Sequence, residues 1–209
     1  MKLYGGLLSP FVMRVALGAR FKGLDLPVES FEGGIKSEAY LKLNPLGKMP
    51  LLVDGDFALP ESAVILDYVD EVGGGASLYP GDAKTRARVR LVARLADLYL
   101  MPEIGTLFRA RQDPSVVPGA LEKIGKVLGD IAHFRNEADS FAVGDSFTAA
   151  DATLIPMFFF LDAFAMMGTG KLLDAQPGLK GWWERAKASD LGKQAVEQQD
   201  KALKAFMGG

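Results

Sequence analysis

A serine and a proline, Ser9 and Pro10, stand behind the glycine pair Gly5 and Gly6 and ahead of an apolar stretch. Serine is favoured at a helix N-cap and proline at the first helical position, so the pair marks the start of a helix. A helix start also gathers unpaired N–H groups and partial positive charge. An anion is stabilised there, whether a thiolate, a carboxylate or a phosphate. The two glycines let backbone come close to such a guest. Their spacing is not that of a P-loop or a dinucleotide fingerprint. On these residues alone, a simple cap and a hydroxyl aimed at a ligand are both open.

Two further stretches carry chemistry. In "NPLGKMPLLVDG" Met49 precedes Pro50, and a strand follows. A trans turn is the plain reading; a cis bond would offer the Met49 N–H and C=O to an extended, peptide-like ligand. In "LPESAVILDYVDE" Glu61 and Ser62 stand where a helix begins. They read either as a cap with an acidic first turn, or as a hydroxyl and helix N–H groups for a carboxylate beside a carboxylate for an ammonium. An amino-acid headgroup needs both. The chain has no cysteine and one histidine, His133. Disulfides, thiolate metal sites, a cysteine nucleophile and histidine clusters or triads are therefore excluded or poorly served, and no metal is expected. Any redox sulfur must come from outside.

The elements that position these residues fall into two regimes. Short mixed elements occupy the first part: strands at 2–5 and 26–31, a helix at 10–22 ending before Gly23, and a short helix or irregular piece at 36–43. A hairpin follows at 51–53 and 57–59 around "DGD", then a helix at 62–72. The order is βαβ then ββα, which predicts a small mixed sheet of four strands with helices packed on it. "GGGAS" and "LYPGD" mark a break. Beyond it the pattern is helical: 83–111 interrupted by Pro102, then 119–138, 148–167, 177–188 and 191–206. The division expected is a first domain at 1–76, a linker at 77–84 and an all-helical domain at 85–209. A net charge of −2 favours neither nucleic acid nor an anionic membrane. "MKLYGG" lacks the apolar core of a signal peptide, and the apolar run at 152–161 is too short to span a bilayer, so a cytoplasmic protein is expected.

Along its whole length the chain resembles the cytosolic glutathione transferases. The resemblance is carried by "LYGGLLSPFVMRVAL", "IKSEAYLKLNPLGKMPLLVDG" and "LPESAVILDYVDE", and is greatest to the serine-type classes, the tau class in particular. It implies a thioredoxin-like N-terminal domain joined to an all-α C-terminal bundle. It also implies glutathione as cosubstrate, transferred to a hydrophobic electrophile. Ser9 matches the serine that donates to the glutathione sulfur. Lys36 and Lys48 match lysines near the glycine carboxylate. Met49, ahead of Pro50, matches the residue whose backbone pairs with the cysteinyl unit, and Glu61 and Ser62 match the pair that holds the γ-glutamyl end. "SFTAADATL" matches the family's capping motif, in which Thr148 and Asp151 have a folding role.

Candidates for an acceptor pocket are Leu7, Phe11, Tyr99, Leu100, Glu103, Phe108 and Arg109, with core packing as the alternative for Tyr99 and Phe108. The missing cysteine argues against the family's thiol reductase and maleylacetoacetate isomerase branches. A noncatalytic carrier of apolar ligands, or a glutathione-dependent peroxidase, ether-cleaving enzyme or isomerase, remains as an alternative. The basic run Lys84, Arg86, Arg88, Arg90 and Arg94 reads as a solvated face. The resemblance suggests a homodimer there, met by the acidic helix around Asp67, Asp70 and Glu71.

Overall fold

The computed structural model describes residues 1–110 and 112–208. Strand β1 (Lys2–Tyr4) is short, and its central residue Leu3 is wholly buried. It lies inside a four-stranded sheet of order β2-β1-β3-β4, with β2 (Val28–Glu29) parallel to it and β3 (Leu51–Asp54) antiparallel. Strand β4 (Phe57–Pro60) closes a hairpin on β3. The strand expected at 26–31 is cut to two residues. Pro27 has no N–H to give the ladder, and only its carbonyl is used, accepting from Leu3 N–H at 2.9 Å.

Helices α1 (Pro10–Phe21) and α3 (Ser62–Val72) supply apolar stripes to the sheet. Val12, Val15 and Ala19 from α1 and Ile65 and Val69 from α3 pack with Leu3 and Leu52 in one cluster. The spacings are those of a single helix face. Two glycines permit the fit. A Cβ on Gly18 would lie 2.2 Å from Leu66 Cδ1, and one on Gly5 would lie 2.5 Å from Val12 Cγ2. Between β2 and β3, α2 (Glu38–Leu43) is capped by Ser37, whose hydroxyl accepts from Tyr40 N–H at 3.2 Å. The helix thus starts two residues later than the pattern suggested, leaving Lys36 outside it.

The end of this unit is clasped by a nearly buried ion pair. Lys22 Nζ lies 3.0 Å from Asp70 Oδ1 and donates to the Ala76 carbonyl at 3.0 Å. Burial alone would raise the Asp70 carboxyl. Bonds from Leu78 N–H (2.7 Å) and the Ser77 hydroxyl (2.7 Å), with the Lys22 ammonium, outweigh that and hold it below the ordinary aspartate value.

From Tyr79 onward the chain is helical. Asp82 caps α4 (Ala83–Leu95) by accepting from Thr85 N–H at 2.8 Å. The break expected at Pro102 is instead a widened π turn, Ala96–Leu100, that leads directly into α5 (Met101–Arg109). The N–H of Met101 reaches back five residues to Ala96, so the missing N–H of Pro102 is accommodated without ending the helix. Then come α6 (Val117–Phe134), α7 (Ala149–Phe164), α8 (Pro177–Ala188) and α9 (Asp190–Gly208).

Helix α7 is buried along nearly its whole length. The stretch Ala149–Thr169 is long and apolar enough to cross a membrane, beyond the short run read from sequence, but 67% of an 18-residue window within it is buried inside the protein, as in a core helix. Its start is fixed by Asp151. That carboxylate accepts from Thr148 N–H (3.0 Å), Thr148 Oγ1 (2.8 Å), Ala142 N–H (2.7 Å) and Trp182 Nε1 (2.9 Å). Burial nevertheless raises its pKa. The compact units of the chain are Met1–Leu78 together with residues from Gln194 onward, and Tyr79–Lys193. The last helix was expected in the helical domain; most of it groups with the first unit, where Gln198 Oε1 accepts from Arg20 Nη2 at 2.6 Å.

Candidate active site

Strand register decides what meets what. Tyr4 pairs with Leu51 and with Glu29, and Leu51 pairs with Pro60. So the loop that follows β1, the residues just before β3 and those just after β4 all emerge at one end of the sheet. These are Gly5–Ser9, Lys48–Pro50 and Glu61–Ser62. The chain leaving β2 toward Lys36 starts from the same end. One sheet end therefore collects Ser9, Met49, Pro50, Glu61 and Ser62.

Two helices also begin there, and neither has a side-chain cap. Ser9 is the N-cap of α1 by position, with extended backbone (φ −66°, ψ 124°), yet its hydroxyl makes no capping bond. Its carbonyl accepts the first helical bond, from Met13 N–H at 2.9 Å. The half-buried hydroxyl is thus not committed to the helix. Glu61 heads α3 with φ 70° and ψ 103°, the one non-glycine residue at positive φ among those described. Such backbone costs about 1–3 kcal/mol and persists where the surroundings impose it, often at functional sites. Its carboxylate is exposed and the neighbouring Ser62 is buried.

The Met49–Pro50 bond is cis. The loop before it is tied through Lys48, whose carbonyl accepts from Tyr40 Oη (2.6 Å) and Asn44 Nδ2 (2.7 Å). Burial raises the Tyr40 phenol above its ordinary value, so it stays a donor. Lys36 Nζ donates to the Gly47 carbonyl at 2.9 Å, which brings its ammonium to the Lys48 loop. Lys48 itself is exposed.

Sequence reasoning missed the residues that hold these groups in place. Arg14, 1% exposed, donates from Nη1 to Ser62 Oγ at 3.3 Å. A charge inside the otherwise apolar stretch Pro10–Ala19 was the available signal. Asn44 is fully buried, and its place ahead of Pro45 was the corresponding hint.

Within each unit the acceptor candidates have different surroundings. Leu7 packs against the sheet core, and Phe11 lies under the Arg14 guanidinium at 5.6 Å. Leu100 is fully buried between helices and cannot line an open pocket; the widened turn rotates it inward with Ala96 and Ile104. Tyr99 and Glu103 line a groove against α6, and Glu103 pairs with Lys123 at 3.3 Å. Phe108 packs on another face, edge-on to Phe160 and Phe164 at 5.0 and 5.2 Å. Arg109 is exposed and donates to Thr106 Oγ1 at 3.1 Å. Among the described residues, no cluster of three or more acidic or histidine side chains could hold a metal.

A βαβ–ββα sheet with a cis-proline before its third strand, followed by a helical unit, defines a thioredoxin-like domain joined to an α-helical one. Residues 3–77 match the family profile described as glutathione S-transferase, N-terminal domain, and residues 105–185 match that of the C-terminal domain. Glutathione S-transferase 3 of Zea mays is 33% identical over 200 residues, covering 88% of this chain and 87% of that protein. The crystal structure of glutathione transferase F2 from Populus trichocarpa superposes with a TM-score of 0.81 at 27% identity, covering 96% of this chain and 99% of that one. A glutathione S-transferase-I structure bound with lactoylglutathione superposes equally well, with a TM-score of 0.81 at 25% identity over 94% of this chain and 98% of that one.

The chain belongs to the glutathione S-transferase family. Glutathione S-transferase F13 of Arabidopsis thaliana, 30% identical, and the Populus trichocarpa F2 protein bear the F of the phi class, whereas two short stretches of the sequence pointed to tau. The stretches behind the tau comparison are short, and they mark the glutathione-binding half more than the class.

Proposed function

We propose that this protein binds glutathione at the sheet end described above, holds its sulfur as a thiolate and transfers it to a hydrophobic electrophile. The observation that carries this reading is the pair of uncapped helix N-termini, α1 at Ser9 and α3 at Glu61, opening at one sheet end on either side of the Met49–Pro50 step. Strands β1 and β4 are two ladder steps apart, roughly 10 Å. An extended tripeptide spans about 10–11 Å. Its ends thus reach from the β1 loop to the head of α3.

In this arrangement the γ-glutamyl carboxylate takes the first N–H groups of α3 and the Ser62 hydroxyl, and the Glu61 carboxylate takes the ammonium. The Met49 backbone pairs with the cysteinyl unit. Lys36 has spare N–H donors after its bond to Gly47 and, with Lys48, serves the glycine carboxylate. The sulfur lies at Ser9. A free thiol has a pKa of about 8.5, and lowering it by about two units requires ~2.7 kcal/mol of preferential stabilisation of the anion. A charge-assisted bond from a hydroxyl supplies ~1.5–3 kcal/mol and a helix end ~0.3–2 kcal/mol. Together they suffice with no base nearby. Ser9 keeps its proton and donates; the thiolate attacks an electrophilic carbon, expelling halide or opening an epoxide, or a peroxide oxygen, expelling the alkoxide and leaving a sulfenic acid that a second glutathione converts to the disulfide and water.

The reading is tested by incubating the protein with glutathione and a panel of aryl halides, epoxides, quinones and organic peroxides. Product masses report a conjugate, or oxidised glutathione for peroxides. Glutathione binding with no turnover of any of these would replace transfer by ligand carriage.

We also propose a cytoplasmic homodimer. The exposed side of α3 carries Val64, Asp67 and Glu71, and that of α4 carries Lys84, Arg88, Leu91 and Arg94. The two stripes are complementary in charge, and each mixes apolar with charged residues. Asp70 is spoken for by Lys22, so Asp67 and Glu71 are the acidic partners. A solution mass twice the 22.5 kDa of the chain at micromolar concentration is expected.

A further inference from the structure

Of the six residues of α2 only Tyr40 is buried, and it is wholly so. Its ring stands edge-on to Phe31 at 5.0 Å, in the segment that leaves β2, and Phe31 stands edge-on to Tyr4 at 5.0 Å. A phenylalanine would fill that space as well. What the tyrosine adds is a hydroxyl, and it donates to the Lys48 carbonyl at 2.6 Å. Asn44 Nδ2 donates to the same carbonyl at 2.7 Å, while Asn44 Oδ1 accepts from Leu46 N–H at 3.1 Å.

One donor is enough to satisfy a buried carbonyl, and this one has two, one for each lone pair. A single bond lets a peptide plane rock about the line to its partner. Two donors on separate, wholly buried side chains hold the plane in one orientation. The consequence falls on the next residue. The Lys48–Met49 peptide is trans, the cis bond being the one after it, so its C=O and N–H point in opposite directions. Drawing the Lys48 oxygen toward Tyr40 and Asn44 therefore turns the Met49 N–H away from that buried side.

We propose that Tyr40 is a positioning residue for glutathione: through the Lys48 carbonyl its hydroxyl sets the direction in which Met49 offers its N–H to the cysteinyl unit. The proposal rests on the glutathione reading given above and adds a residue that acts through another group rather than by contact. Lys36, just ahead of α2, donates to the Gly47 carbonyl at 2.9 Å. One short stretch thus carries both the cation for the glycine end and the hydroxyl that aims Met49, so the two contacts are set together.

Tyr40→Phe keeps the ring and removes the hydroxyl. The probe is S-methylglutathione, which binds without thiol chemistry, titrated by calorimetry into the full-length wild type and variant. Its affinity should weaken roughly 3- to 10-fold, as for the loss of one hydrogen bond. The thiol of bound glutathione should titrate at the wild-type midpoint, because Ser9 is untouched. In protein isotope-labelled at the amide nitrogens of its eight methionines, the Met49 signal is assigned by its loss in Met49→Leu. It should shift when S-methylglutathione binds to the wild type, and should already be displaced in the ligand-free variant. Equal affinity in the two proteins, even with a lowered denaturant melt, would make Tyr40 a structural part only and overturn the proposal while leaving the glutathione reading in place. A Met49 amide unmoved by the variant, or a thiol midpoint shifted as far as in Ser9→Ala, would overturn it in the same way. A wild type that does not bind S-methylglutathione would overturn both.

Discussion

Replacing Ser9 by alanine separates two roles that a serine at a helix start can play. Where a serine hydroxyl caps a helix, its loss costs about 0.5–2 kcal/mol of stability. Here the Ser9 hydroxyl caps nothing. Ser9→Ala should therefore change unfolding free energy by less than about 0.5 kcal/mol, as at other uninvolved positions. Catalysis should respond differently. The hydroxyl's bond to a thiolate is worth ~1.5–3 kcal/mol. At about 1.36 kcal/mol per decade, kcat/KM should fall roughly 10- to 150-fold. Activity should not vanish, because the end of α1 still contributes ~0.3–2 kcal/mol. Glutathione binding should weaken little below the thiol pKa, where the sulfur is neutral and the rest of the tripeptide is held by other residues. Denaturant melts and steady-state kinetics on the two proteins measure both quantities. A loss of about 1 kcal/mol in stability with unchanged turnover would show Ser9 to be a cap and would refute the assignment.

Other expectations follow from the same geometry. Glu61→Gly should relieve the positive φ and raise stability by about 1 kcal/mol, net of the extra chain entropy of glycine, while glutathione affinity falls; calorimetry and melts report the opposite signs. Gly5→Ala, by driving a Cβ against the stiff Val12 side chain, should cost about 1–3 kcal/mol in a denaturant melt and lower turnover by displacing the Ser9 loop. Lys22→Met should cost about 3–5 kcal/mol, because it leaves the Asp70 carboxylate nearly buried and without its cation. Stability measured against pH should show the matching acid dependence. Asp70 is lowered in the folded state, so its contribution is complete above the ordinary aspartate value of about 3.9 and is lost as pH falls through the folded value. Asp151 is raised, so its effect has the opposite sign: protonation in the folded state offsets part of the loss as pH drops.

What could be read from the residues was mostly local. α3 and α8 have the bounds that capping and apolar spacing suggest, because Ser62 and Pro177 are strong start signals and their stripes meet a core. The hairpin around Gly55 was also visible in a short motif, while at Met49–Pro50 the motif left cis and trans open and the bond is cis. The failures are tertiary. Pro102 reads as a break in any window, yet neighbouring helices keep α4 and α5 in line through a widened turn, and that turn buries Leu100 while exposing Tyr99. Residues 26–31 have strand-like composition, but Pro27 and an edge position leave only two residues paired. The Ser-Pro signal places the helix start correctly and says nothing of whether the hydroxyl is used there; only the geometry shows it uncommitted. The support from Arg14 depends on Ser62, far away in sequence, so no local pattern carries it, whereas Asn44 holds the Lys48 carbonyl only four residues on.

The most direct test is a pH titration of the glutathione thiol on the protein, followed by thiolate absorbance in the wild type and in Ser9→Ala. The account predicts a midpoint about two units below the free value of ~8.5 in the wild type, and a return of one unit or more toward that value in the variant. Equal midpoints in the two proteins, or a bound thiol that titrates as it does in water, would contradict it.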